Sequence, residues 1–375
     1  MKTLISITLT TAIYSSAIFA ECVPPRTEVA WPDDYVDFGA YHRVHPSGDY
    51  LLVSNVEGLG RSTVVILDLK DRNPDGTPKV IATPFANEAY PDSNWDLISS
   101  PYGSSTPPMD FYSFKDILKN KAALVAAGQE NKARPVIAPV YRDESFGQYY
   151  QSIAELPGST PKDKKICTLL YSRSSEKCYD FKLDDDGKLA KVNGQEKNPA
   201  ETQAAPLCGQ SQSWSGPVLS KDGSYVSTRG DGTTTIYPVT RKADKTATCG
   251  QAIVLPGVGS KVSFSYPNSA PKAVTYYTVG PYKDMSERRG VKIHNLETNV
   301  SFWLSSKTEI TESYPNFTAD GRIVYTDTKA KKIITIDPNQ IDEEGNVKAD
   351  RSSCIQVNGT KASPAPVTTP KAKSV

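Results

Sequence analysis

Three histidines and three methionines in a chain of 375 residues leave little material for a histidine-based metal centre. No C-x-x-C pair occurs, so the six cysteines do not read as a zinc site. No serine stands in a G-x-S-x-G elbow, and Ser-His-Asp hydrolysis therefore has no support in the sequence. Beyond the N-terminal stretch no apolar run approaches the roughly 20 residues that a membrane-spanning helix needs. Charge of one sign is not in excess either: 43 Lys+Arg face 42 Asp+Glu, which gives a nucleic-acid partner no electrostatic footprint.

What is present favours turns and strands. The chain has 28 Pro, 24 Gly and 20 Tyr, residues of tight turns and half-buried strands rather than of helices, so an all-β fold is expected. Residues 1–20, MKTLISITLTTAIYSSAIFA, carry one positive charge at Lys2, an apolar and hydroxyl-rich middle and a small-x-small ending, as a secretory signal peptide does. Export into an oxidising compartment, the periplasm or the exterior, makes disulfides the expected state of the even set Cys22, Cys167, Cys178, Cys208, Cys249 and Cys354.

A repeat runs through the chain. Its clearest copy is ESYPNFTADGRIVYTDTKAKKIITID from Glu312: an aromatic-Pro opening, a small-x-Asp-Gly turn, an alternating strand, a polar turn and a second strand. PVLSKDGSYVSTRGDGTTTIYPV from Pro217 and VHPSGDYLLVSNVEGLGRSTVVILDL from Val44 align on the same turn. SYPNSAPKAVTYYTV and AYPDSNWDLISSPYG keep the opening but lose the glycine. One further copy is expected between Arg134 and Leu183, which makes six units of about 48 residues. Units of this size, with several short strands each, predict a six-bladed β-propeller of four-stranded antiparallel blades over 21–357.

At its PNFTADGRIVYTD core the repeat resembles the TolB-like family of six-bladed propellers over residues 35 to 350. That resemblance implies the fold and leaves activity open, because the family includes scaffolds, peptidase-associated domains and enzymes. Two segments depart from the repeat. Residues 113–133 are rich in Lys, Ala and Leu and predict one helix inserted in the second unit to cap a rim. Residues 358–375 are Pro-, Thr- and Lys-rich without apolar periodicity and predict a disordered tail. Within the propeller frame Cys167 and Cys178 flank a hairpin, and Cys208 and Cys249 bracket one blade. Cys22 and Cys354 are left to lock the two ends of the ring.

Aligned on the aromatic-Pro opening, Tyr41, Tyr90, Tyr266 and Tyr314 fall at one position near the start of the innermost strand, with Trp214 close to the fourth unit's equivalent. Such residues suit either packing between blades or a ligand-binding ring at the channel mouth. His42 adjoins Tyr41, and its spacing from His45 puts the two on opposite faces of a strand, which argues against a shared metal. Glu88 and Glu312, two residues before Tyr90 and Tyr314, are the acids to test for chemistry. Asp71 to Gly76 matches half of a calcium loop and equally an Asp-Gly hairpin, so calcium is the one cofactor with any motif behind it. Asn299, Asn316 and Asn358 head N-x-S/T sequons. The expected function is a monomeric protein- or peptide-binding or scaffolding module with no catalytic residues. The alternative is a propeller hydrolase of sugars or lactones.

Overall fold

The structure of the protein, a computed structural model, describes residues 22–23, 26–32, 42–56, 63–85, 89–101, 108–129, 136–145, 152–169, 175–209, 215–230, 233–255, 258–267, 272–278, 289–303, 315–327, 330–338 and 355–356. The proposed leader and tail, like Tyr41, Glu88, Trp214, Glu312, Tyr314 and Cys354, lie outside these residues.

Alternating strands and tight turns build six antiparallel sheets of four or five strands among the described residues. Sheet 1 runs His42–Val44, Tyr50–Val56, Thr63–Arg72, Pro78–Ala82. Sheet 2 is Tyr90–Pro91, Leu97–Pro101, Met109–Ser113 and Tyr141–Asp143. Sheet 3 is Ser152–Glu155, Asp163–Leu169 and Ser175–Lys182, edged by Ala200–Glu201 and Ala205–Pro206. Sheet 4 is Ser215–Leu219, Tyr225–Gly230 and Thr233–Arg241, edged by Ala247–Cys249 and Ile253–Leu255. Sheet 5 is Val258–Phe264, Lys272–Thr278, Arg289–Asn295 and Ser301–Trp303. Sheet 6 is Asn316–Phe317, Ile323–Asp327 and Lys332–Ile336, completed by Arg26–Ala30 from the far end of the chain.

A sheet whose two faces are both apolar must be covered on both, and each of these is covered by its neighbours. Leu52, Ile66 and Ile81 of sheet 1 pack with Ile98 and Tyr112 of sheet 2. Leu97 and Phe111 of sheet 2 pack with Ile166 and Phe181 of sheet 3. The pattern continues through Leu169 with Val226, Ile236 with Phe264, and Ile293 with Ile334. Val29, Trp31, Val324 and Ile333 then return to Val44, Leu51 and Val53 of sheet 1 and close the circuit. This is a mainly-β propeller of antiparallel blades.

Several expectations are modified by the register. The unit hidden between Arg134 and Leu183 is sheet 3, but Tyr141–Asp143 pairs with Met109–Ser113 and so belongs to sheet 2. The outer strand beside Lys332–Ile336 is Arg26–Ala30, about 300 residues earlier in the chain. The insertion is two helices rather than one: α1, Phe114–Lys119, and α2, Lys121–Gln129. The break is at Asn120, whose Nδ2 and N–H both donate to Asp116 O. α1 packs through Phe114 against His45 and Trp95. α2 lies on Pro78–Ala82, where a Cβ at Gly128 would come 2.8 Å from Val80 O, and so it shields the outer edge of sheet 1.

Cys167 and Cys178 stand directly opposite each other in sheet 3 and are bonded, with Cα atoms 4.0 Å apart. Cys208 is bonded to Cys249 at a Cα separation of 5.3 Å. The chain ends meet as well, since Cys22–Val23 pairs with Ile355–Gln356. Loop-closure entropy ranks the two bonds. Changing both Cys208 and Cys249 to Ala should cost about 4 kcal/mol, and Cys167 with Cys178 about 3 kcal/mol, as upper figures. Urea midpoints of the two double variants check this, and the reverse order would show that lost packing at buried Cys167 outweighs loop length.

Candidate functional site

The first strand of each sheet faces the centre, and the turn that follows it forms one face of the ring. In sheets 1, 4 and 6 these turns open at His45, Ser220 and Thr318 and pass through Gly48, Gly223 and Gly321 at φ of 81°, 72° and 87°. Sheet 2 opens at Asp92 and puts Trp95 at the glycine position with φ 62°. A bulky side chain in that region is strained, and the strain is held by burial of the indole against His45 and Phe114.

The turns meet across the axis. Ser93 Oγ donates to Lys221 O, Glu155 N–H donates to the same carbonyl, and Tyr266 Oη donates to Ser93 O. Between them lies a cavity of about 40 Å³, room for a few waters, lined from all six sheets by residues including Arg43, Tyr90, Ser152, Lys221, Phe264 and Asn316.

Beneath the cavity is a buried ionic cluster. Lys164 is fully buried, with Nζ 2.5 Å from Asp96, 2.7 Å from Glu155 and 3.4 Å from Asp92. Asn94 Nδ2 donates to the other oxygen of Glu155 at 2.9 Å. Burial opposes the charge of Lys164, but the carboxylates of Asp92, Asp96 and Glu155 outweigh it and keep its pKa above the ordinary lysine value. Asp92 also lines the cavity, and loss of hydration raises its carboxyl to about 7 against the pull of Lys164.

Two cations face the cavity itself. Arg43 Nη1 donates to His42 O at 2.8 Å, and its guanidinium lies 5.3 Å from the Tyr90 ring centre. Lys221 Nζ lies 4.6 Å from the Tyr266 ring centre. Burial, and then the charge of Arg43, lower the Lys221 ammonium to about 7.

The residues singled out from sequence fall into three groups. Tyr90 lines the cavity and Tyr266 lies against Ser93 and Lys221, which line it, but both tyrosines are buried between sheets and carry the two cations on their faces. They are not at one repeat position: Tyr90 pairs with Ser99 inside its strand, whereas Tyr266 lies beyond the last pair of its strand, Phe264 with Ala273. Proline had aligned two units in which the Asp-Gly turn is missing.

His42 is withdrawn from the candidate ligands by its packing. It is fully buried against Trp31, with Nδ1 3.2 Å from Thr326 Oγ1, and burial followed by the charge of Arg43 lowers its pKa to about 3. Asn316 is buried too and donates from Nδ2 to His42 O at 2.8 Å, which removes it as a glycan acceptor. The Asp71–Gly76 segment is a hairpin turn. Asp71 pairs with Lys79 and Lys121, and Asp75 accepts from the Thr77 backbone and hydroxyl. Among the described residues the one compact His/Cys/Asp/Glu group is Cys167, Glu176 and Cys178, whose sulfurs are already joined.

Arg43, Asp92, Lys164 and Lys221 were not singled out from sequence. A signal existed for Lys164, which shares the inward face of its strand with Ile166 and Thr168.

No protein-family model matches the chain, and no curated protein matches it. Among solved structures it is similar to an oligogalacturonate lyase in complex with manganese, at 11% identity, 79% of this chain and 76% of that one, and a TM-score of 0.40. It is similar to TolB from Acinetobacter baumannii at 12% identity, 84% and 66% coverage and a TM-score of 0.39. A third is the periplasmic gluconolactonase of Pseudomonas aeruginosa, at 13% identity, 80% and 71% coverage and a TM-score of 0.34. Likenesses this distant carry no activity to this chain.

Proposed function

We propose that the protein is an exported six-bladed propeller that binds a protein or peptide on the face formed by the first turns of its sheets. The observation that carries this reading is the central cavity. It collects polar and charged groups from every sheet, yet at about 40 Å³ it is too small to enclose a substrate and suits one group projecting from a partner laid across the face. The two disulfides support an oxidising destination after cleavage behind Ala20. The pairing of Cys22–Val23 with Ile355–Gln356 supports a third bridge from Cys22 to Cys354, which intact mass before and after reduction would report. A propeller body over 21–357 that works as a monomer, with a tail from 358, completes the proposal.

A second reading has one observation in its favour: Asp92 and Lys221, in the same cavity, both titrate near neutrality, as acid–base residues of enzymes do. Affinity capture from the native envelope or medium separates the readings. The mature protein should retain a partner that Val218→Trp, which fills the cavity without changing a charge, loses while melting at the same temperature. Equal capture by both proteins overturns the binding reading. No partner, with turnover of a sugar lactone, moves the assignment to the hydrolase.

A further inference from the structure

Several buried and half-buried cations among the described residues are matched by carboxylates. Lys177 is 2.6 Å from both Asp143 and Glu201, Arg241 is 2.6 Å from Glu176, and Lys164 has three acids around it. Lys221, which lines the cavity, differs from them. No carboxylate of the described residues lies within ion-pair distance of it, and its ammonium lies over the face of Tyr266. An ammonium placed this way is held at a cost in solvation that a bound anion would relieve.

We infer that Lys221 and Arg43 together seat a carboxylate group, brought by a ligand into the small cavity at the centre of the ring. The inference deepens the binding reading above and rests on the same site. Three features select the chemistry. The cavity takes a group of a few heavy atoms. Arg43 is fixed in place by its bond to His42 O and by the Tyr90 ring, so little freedom is lost when it binds. The charge beneath favours a monoanion over a phosphate dianion: Asp92 lines the same cavity and is partly ionised at neutral pH, with Asp96 and Glu155 behind it on Lys164.

Around Lys221 stand Arg43 from sheet 1 and Asp92 from the sheet 2 turn, which line the same cavity, and Tyr266 from sheet 5, whose ring lies under the ammonium; Glu155 of sheet 3 reaches Lys221 through its backbone N–H alone. Tyr266 keeps its proton throughout, since burial raises its pKa. Lys221, at about 7, is therefore the cation that changes charge between pH 6 and 8. A bound carboxylate needs the ammonium, so affinity should be highest below pH 7 and fall as pH rises. Ionisation of Asp92 over the same range works in the same direction.

The test is calorimetric titration of the mature protein with acetate, with an N-acetylated tripeptide bearing a free terminal carboxylate, and with the same tripeptide amidated. The acids should bind about tenfold more weakly at pH 8 than at pH 6, with proton uptake above pH 7, and the amide should not bind. Lys221→Met should lose about tenfold at pH 6, and Lys221→Arg should restore binding at pH 8. A peptide acid that binds more tightly than acetate identifies a polypeptide source, and equal binding a free small acid. An affinity independent of pH, equal binding of the amide, or an unchanged Lys221→Met each overturns the inference. Should Lys221→Met fail to fold, the wild-type pH profile and proton uptake decide. Val218→Trp-sensitive partner capture without carboxylate binding leaves the binding reading standing and removes this one. Carboxylate binding without a captured partner does the reverse.

Discussion

Lys164→Met is expected to lower stability at pH 7 by about 3–5 kcal/mol, the range found when one partner of a buried ion pair is removed. The methionine fills nearly the same space, so the loss reports charge and not a cavity. Lys164 Nζ, itself fully buried, holds buried Asp92 and Glu155 and the partly exposed Asp96 in one knot between the second strand of sheet 3, the inner strand of that sheet and the first turn of sheet 2. Without it Asp92 stays buried and unmatched, and its carboxyl, already raised by lost hydration, loses the opposing pull of the ammonium and rises further above its unfolded value. Groups shifted in that direction stabilise the fold when protonated and lose that stability as pH rises, so the variant should recover part of its deficit between pH 7 and 5. Urea titrations at both pH values test this. A loss under 1 kcal/mol, or a deficit that grows at pH 5, would show that the knot is open to water.

Trp31→Ala should be as damaging, at about 3–5 kcal/mol, for a different reason. The indole is 3% exposed, its backbone N–H donates to Lys331 O at 2.9 Å, and its ring packs at 6.0 Å from His42. It extends Arg26–Ala30, the strand that joins sheet 6 to sheet 1. Hydrogen exchange should accelerate first in Arg26–Ala30 and His42–Val44, with Asp163–Leu169 on the other side of the ring unchanged. Val254→Ala, at a position 57% exposed, is the control and should stay within about 0.5 kcal/mol. Uniform acceleration around the ring would mean that its sheets unfold as one unit.

The turns at Gly48, Gly223 and Gly321 were legible because a positive φ leaves a mark on the sequence. Trp95 erased that mark in sheet 2, and the alignment shifted to the neighbouring proline, which is why Tyr90 and Tyr266 were set at one position they do not share. The helical insertion was legible from composition. Its break at Asn120 depends on one side chain finding Asp116 O, which composition does not encode. The closing strand Arg26–Ala30 carries no repeat signature, since its partner is at the other end of the chain. The cavity was the least legible part. Arg43, Asp92 and Lys221 come from three sheets, and each alone is an ordinary charge beside a turn.

The strand Arg26–Ala30 is synthesised well before its partner, Lys332–Ile336, which follows about 300 residues later. At translation speeds of about 5–20 residues per second that is roughly 15–60 s in which five blades can form while the first strand has nothing to pair with. Ring closure is thus a late step with a long loop to close, slow by its topology, and the intermediate before it exposes one edge of an almost finished disc. Were the chain exported unfolded, as proposed above, that order would be harmless only with both ends arriving together. Delay of the C-terminal blade on the far side would leave that edge open to the same strand of a second copy, so that the device that closes one ring would instead join two.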